Sequence, residues 1–209
     1  FGLLTYTVGT YGAEVLLPLL KLIMVMFVAC IIHVCIIYLP CIKYSGVPLK
    51  KFFKELTSTI LVAFSSASSA AALSSNLQSV QRLGASRPVS SFLIPLGNTI
   101  NMDGTAIYMG VCSIFAATFF GIDLTFDKQI LIVIIAMLAS VGTMGVPGAG
   151  VIMISMVFTQ VGIPLEAIAL IAGIDRVLDM MRTTLNVLGD ATGALTVSKA
   201  ENDMHPIQE

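Results

Sequence analysis

The sequence predicts an all-α integral membrane protein in which spanning helices alternate with two re-entrant helical hairpins. Three observations carry this. The chain of 209 residues is 56% hydrophobic and 11% charged, with a mean hydropathy of +0.95, whereas a soluble domain has about 25% charged residues. Residues 129–165 form a run of 37 without Asp, Glu, Lys or Arg. As one helix that run would measure about 55 Å, against a hydrocarbon core of about 30 Å. Its centre, residues 140–150, holds four glycines and a proline, which break any helix. Finally, residues 163–198 are long and apolar enough to span, yet contain Asp175, Arg176, Asp179, Arg182, Asn186 and Asp190.

Composition also excludes some functions. With a net charge of −1, nothing in the composition suggests nucleic acid. Cys30, Cys35, Cys41 and Cys112 lie in apolar segments with no C-x-x-C pair, so they read as reduced packing residues rather than metal ligands. His33 is alone in a span and reads as an interhelical hydrogen-bond partner. His205 belongs to a polar tail. The chain opens at Phe1 in the middle of an apolar pattern, as the C-terminal part of something larger would.

Taken in order, residues 1–20 suggest the end of one helix, a turn near Gly9 and Gly12, and the entry to the next. Residues 22–42 are 21 uncharged positions between Lys21 and Lys43, about 32 Å of helix and one full span. Pro40 and Gly46-Val47-Pro48 are expected to end it. Lys50, Lys51, Lys54 and Glu55 then form a charged collar. Residues 56–81 carry no charge, and their centre is Ser65-Ser66-Ala67-Ser68-Ser69-Ala70. Small residues of this kind serve close helix packing in a single span, or the tip of a re-entrant hairpin buried in protein.

Residues 88–121 are apolar but interrupted by Pro95, Gly97, Asn98, Thr99, Asn101, Asp103, Gly104 and Thr105. A carboxylate, an amide and unwound backbone at membrane depth supply hard oxygen donors for a cation. A kinked helix with an internally bonded Asp gives the same composition. Residues 128–162 follow as the second hairpin. Lys and Arg cluster around the first hairpin, and Asp123, Asp127 and Glu166 flank the second. The positive-inside rule therefore makes the first enter from the cytoplasm and the second from outside, with the last helix returning Lys199 to the cytoplasm. Hairpin plus broken helix, repeated with opposite topology, is an architecture of secondary transporters.

In the last segment, winding at ~100° per residue puts Asp175, Asp179, Arg182, Asn186 and Asp190 within a strip roughly 80° wide. Each charge at the bilayer centre costs at least ~2.5–3.5 kcal/mol. The strip is either a structural ion-pair stripe or a binding face for a ligand bearing both charges, such as an amino acid.

Asn101-Met102-Asp103-Gly104-Thr105, Gly145-Val146-Pro147-Gly148-Ala149-Gly150 and the run from Asp179 to Asp190 resemble the dicarboxylate/amino acid:cation symporter family, the glutamate/aspartate transporters. The likeness runs from about residue 1 to 200 in the same order. It implies a homotrimer in the lipid bilayer of the cell (plasma or inner) membrane. Each protomer would have a static trimerisation part and a transport part that moves like an elevator. This chain would supply the end of helix 5 (1–12), helix 6 (13–42), hairpin one (47–86), helix 7 (88–121), hairpin two (128–162), helix 8 (163–198) and a cytoplasmic tail (199–209).

The same resemblance implies site roles. Asp179 would take the substrate ammonium. Arg182 would grip its side-chain carboxylate, aided by Thr105 and Thr183. Asn186, with Ser68 and Ser69 at the first tip, would take the α-carboxylate. Val146 and Gly150 would belong to the gating tip of hairpin two. Gly97, Asn101, Asn186 and Asp190 match one sodium site. Thr99, Met102, Ser140, Val141 and Thr143 match a second, largely through backbone carbonyls, and Asp103 matches part of a third. The coupling ion is Na+ or H+, with no organic cofactor.

The chain departs from the family pattern in places. Ala67 and Met180 stand where different members carry an Arg near the binding aspartate, which makes Arg176, one turn earlier, the candidate to compensate. Met109 stands where animal members have a Glu. Secondary symport of L-aspartate or L-glutamate is the expectation, and no enzyme activity. The alternatives are a C4-dicarboxylate symporter, an ion channel and, at a distance, an intramembrane aspartyl protease using Asp103 and Asp190.

Overall fold

Helix α1 (Gly2–Tyr11) leads through a 3-10 turn (Ala13–Val15) into α2 (Leu16–His33). In this computed structural model residues 2–142 and 147–206 are described. Every regular element among them is a helix. Leu19, Leu22 and Met26 of α2 point inward, while Leu17, Leu20, Met24, Val28, Ile31 and Ile32 remain exposed. A spacing of three and four buries one stripe of a helix, and the exposed residues here are as apolar as the buried ones.

Of the two stops the sequence suggested, Pro40 and Gly46-Val47-Pro48, the helix runs past the first and ends at the second. It passes through a π-turn (Val34–Tyr38) into α3 (Leu39–Ser45), capped by Gly46 at φ 80°. Pro40 follows that π-turn directly, as the second residue of α3. The continuous helix 13–45 is long and apolar enough to cross a membrane, and so is the stretch 87–119.

Two helix pairs follow the same plan. Helix α4 (Leu49–Ser66) turns through Ala67 and Ser68 into α5 (Ser69–Arg82), which packs back on it. Ala67 adopts the left-handed conformation (φ 51°, ψ 41°), and Ser68 caps α5 by accepting from Ala71 N. Near the base, Ser79 Oγ donates to the Glu55 carbonyl at 2.9 Å. Later, α8 (Phe126–Val141) is followed by α9 (Ala149–Val161), and these also pack on each other. Between the pairs run α6 (Arg87–Ile100) and α7 (Asp103–Phe119). Pro95 is accommodated inside α6. The break comes at Asn101 (φ −89°, ψ 83°) and Met102 (φ −114°, ψ 46°).

Residues 163–198, read from sequence as one helix, divide into α10 (Glu166–Ala172) and α11 (Asp175–Ala200). The cause is tertiary. A Cβ at Gly173 would stand 3.2 Å from Leu4 Cα, and Thr7 Oγ1 of α1 donates to the Ala169 carbonyl at 3.2 Å. Helix α1 thus crosses at the break. All of the charged strip lies within α11. Of the 26 residues of α11, 17 are buried, so it forms the axis of the molecule. It contacts α2 through α7. Two apolar clusters flank it. One centres on Tyr108, Met109, Phe158 and Leu178, the other on Phe52, Leu56, Leu83, Ile94 and Leu195.

Candidate functional site

On α11, Asp175, Asp179, Arg182, Asn186 and Asp190 are all buried, none more than 6% exposed. Arg182 donates from Nε to Asp179 Oδ1 at 3.0 Å and from Nη1 to Asp175 Oδ1 at 3.3 Å. Its guanidinium carbon lies 4.3 Å from the centre of the Tyr108 ring, within range of a cation–π contact. Gly150 also packs against it, and a Cβ there would meet the guanidinium at 2.5 Å. Asp179 also accepts from Thr183 Oγ1 at 3.3 Å and, on Oδ2, from the Gly148 N–H at 2.8 Å. The start of α9 and the turn before it therefore close over the buried Asp–Arg pair.

The break between α6 and α7 faces the next turns of α11. Asn186 accepts from Gly104 N at 2.8 Å, and donates to Thr105 Oγ1 at 3.3 Å and to Met102 sulfur at 3.2 Å. Asn101 Nδ2 donates to Asp190 Oδ1 at 2.9 Å and to the Asn186 carbonyl at 3.1 Å. Gly97 allows this approach, since its Cβ would lie 2.5 Å from Asp190 Oδ1. A cavity of about 240 Å³ opens here, lined in part by Gly97, Asn101, Gly189 and Asp190. No group of three His, Cys, Asp or Glu side chains that could hold a metal comes together among the described residues. The polar groups that meet here are the Asp190 carboxylate, the Asn101 amide, which turns its NH2 toward that carboxylate, and the Asn186 carbonyl, while Leu93, Leu96, Ile100 and Val197 complete the cavity wall.

The sequence thus located residues that meet in space: Thr105, Asp179, Arg182, Thr183, Asn186 and Gly150 in one group, and Gly97, Asn101, Asn186 and Asp190 in another. Ser69 is buried, and its hydroxyl has no partner among the described residues. It sits at the α4–α5 tip, next to the contact of Ala63 and Ala72 with Val187 of α11. The set Thr99, Met102, Ser140, Val141 and Thr143 is less convergent. Thr99 and Ser140 turn their hydroxyls back to the carbonyls of Pro95 and Met137, Val141 is exposed, and Thr143 lies outside the described residues, as does Val146.

Asp103 is held from another helix. Tyr38 donates to its Oδ2 at 2.8 Å, and His33 Nε2 lies 3.2 Å from the same oxygen. His33 is the interhelical partner the sequence suggested. Tyr38 and Tyr108 escaped notice, both resembling ordinary core aromatics. The π-turn explains Tyr38. In an α-helix, residues five apart face different ways, whereas a turn closed by i→i+5 bonds stacks them. The His33 and Tyr38 rings meet edge to face at 4.9 Å. Arg176 does not reach Asp179. Its Nη2 donates instead to the Ser65 carbonyl at 2.9 Å, beside the α4–α5 tip.

A family model described as the sodium:dicarboxylate symporter family matches residues 1–200. The chain is 35% identical over 201 residues to a proton/sodium-glutamate symport protein of Geobacillus stearothermophilus, covering 96% of this chain and 48% of that protein. It is 35% identical over 202 residues to a proton/glutamate-aspartate symporter of Escherichia coli, covering 97% and 46%. It is 32% identical over 204 residues to a C4-dicarboxylate transport protein of Bacillus subtilis, covering 97% and 48%. The chain spans about half the length of the curated relatives it matches. With the matched region extending across both helix pairs, the α6–α7 break and the whole charged strip, the chain belongs to the sodium:dicarboxylate symporter family.

Proposed function

We propose that this chain is the transport core of a secondary symporter that carries an acidic amino acid, L-aspartate or L-glutamate, with Na+ or H+. The observation that carries this is the burial of Asp179 and Arg182 side by side beneath Gly148 and Gly150. A purely structural ion-pair stripe would need no covering tip. The buried hydroxyl of Ser69, which like Asn76 Oδ1, Asn98 Oδ1 and Tyr108 OH has no hydrogen-bond partner among the described residues, is open to a ligand, since such groups cost free energy unless something bonds them.

In this reading α4–α5 and α8–α9 are re-entrant hairpins one and two of an inverted repeat, entering from the cytoplasm and from outside respectively. The protein sits in the cell membrane with its C-terminus in the cytoplasm. Hairpin two is the gate. The Gly148 N–H holds the acceptor on Asp179 that a substrate ammonium would take, so lifting the tip frees that carboxylate and uncovers Arg182 together. The planar guanidinium then offers two parallel donors to the substrate's side-chain carboxylate. Ser69 and Asn186 receive the α-carboxylate. Gly97, Asn101, Asn186 and Asp190 hold a coupling cation. The full-length protein is a homotrimer whose transport core moves as an elevator.

Uptake of labelled L-aspartate into proteoliposomes, under an inward Na+ gradient and separately under an inward H+ gradient, tests this. Arg182→Ala should lower uptake roughly 100-fold, because losing one partner of a buried charge pair costs about 3 kcal/mol or more. Unchanged aspartate transport in that variant would refute the assignment. The named C4-dicarboxylate relative favours a second reading. There Asp179 would keep its internal partners and face no amine. Competition by succinate as strong as by aspartate would select it.

A further inference from the structure

A polar cavity lies beyond the C-terminal end of α11. It has a volume of about 290 Å³ and is lined by Gln78, Gln81, Arg82, Arg87, His205 and Pro206, with no carboxylate in its wall among the described residues. It is assembled from three parts: the end of α5, the start of α6 and the tail that follows α11.

The tail is fixed there by the backbone. His205 N donates to the Gly84 carbonyl at 2.9 Å, and Ser86 N donates to Ser198 Oγ at 3.3 Å. Gly84 has φ +98°, and a Cβ there would stand 2.5 Å from the His205 carbonyl oxygen. Any side chain at this position would therefore push the tail, and one wall of the cavity, outward. Gln81 uses Nε2 on Ser90 Oγ at 3.1 Å. Arg82 has one long contact to Glu55 at 3.7 Å and is about half exposed (53%), so its guanidinium retains donors for another acceptor. Arg87 forms no ion pair among the described residues.

We infer that this cavity binds a phosphate-bearing anion, with Arg82 and Arg87 as the charged donors. Planar guanidinium forks fit phosphate oxygens bidentately, and the volume exceeds what one phosphate group needs. Two sources supply that chemistry, a phospholipid headgroup and free phosphate. The surroundings favour the lipid. The Glu55–Arg82 contact puts this cavity at the base of the α4–α5 pair, the end that also carries Lys50, Lys51 and Lys54. Basic clusters at a helix base attract anionic headgroups, and basic pockets between membrane helices hold them. The site is remote from Asp179 and Arg182, so it stands or falls independently of the transport reading.

Native mass spectrometry of the detergent-purified protein, titrated with phosphatidylglycerol, phosphatidylcholine or inorganic phosphate, tests it. Phosphatidylglycerol should bind at least tenfold more tightly than phosphatidylcholine. The Arg82→Gln/Arg87→Gln double variant should lose that preference, and Gly84→Ala should weaken it while both arginines remain. Inorganic phosphate that binds and displaces phosphatidylglycerol would support the anion site and identify the soluble source. Equal retention of phosphatidylglycerol and phosphate by wild type and double variant, with unfolding temperatures unchanged, would overturn the proposal.

Discussion

Gly97 and Asp190 show how little space the site leaves for variation. A methyl group at Gly97 would stand 2.5 Å from Asp190 Oδ1 and 3.0 Å from its carboxyl carbon. That carboxylate is pinned by Asn101 Nδ2 at 2.9 Å, so it can move only by giving up this bond. Gly97→Ala should therefore raise the cation concentration needed for half-maximal uptake by about tenfold, the effect of one hydrogen bond to a charged group. The ranking of aspartate over other substrates should hold, because Arg182 and Asp179 lie elsewhere on α11. Measuring uptake against Na+ and against substrate separates these effects, and a change confined to substrate affinity would contradict the assignment of Gly97 to the cation site.

At the scale of elements, the long side chain of Arg176 reaches from α11 to the Ser65 carbonyl at the α4–α5 tip, above the Asn76–Val187 hydrogen bond deeper in the pair. The bond is exposed and worth about 1 kcal/mol. Arg176→Ala should speed amide hydrogen exchange over residues 64–69 roughly fivefold, and Arg176→Lys should restore part of the protection. Unaltered exchange would mean that packing alone holds the tip. Much at this scale was legible in the sequence. The charged strip follows the helical repeat, the proline and glycine at 147–148 precede the start of α9, and Asn101-Met102 sits where α6 and α7 part. What escaped depends on partners far along the chain. Gly173 marks a break only because α1 crosses there. Pro40 is harmless only because a π-turn precedes it, and that turn alone brings Tyr38 into line with His33 over Asp103. Tyr108 reveals its role only once Arg182 lies on its ring.

The whole molecule is polar along its axis and apolar outside. Leu, Ile, Phe and Met side chains lie exposed on α2, α6, α8 and α9, while α11 keeps its charges buried. That distribution suits a hydrocarbon solvent, where ionisable groups turn inward. The charges along that axis do not cancel. Asp175, Asp179 and Asp190 on α11, with Asp103 beside them, set four carboxylates against two guanidiniums of the same helix, Arg182 buried among them and Arg176 exposed beside the α4–α5 tip. In the proposed elevator motion this axis travels through the membrane's electric field. Every carboxylate that stays ionised and unmatched by a bound cation then exchanges about 2.3 kcal/mol with each 100 mV of potential. The empty core should accordingly be pulled toward the positive side of the membrane and return at a voltage-dependent rate, whereas the core loaded with cations should cross almost indifferent to voltage. Clamping proteoliposomes at different potentials would show it, and equal voltage dependence of the loaded and empty half-cycles would mean that protons already neutralise the surplus carboxylates.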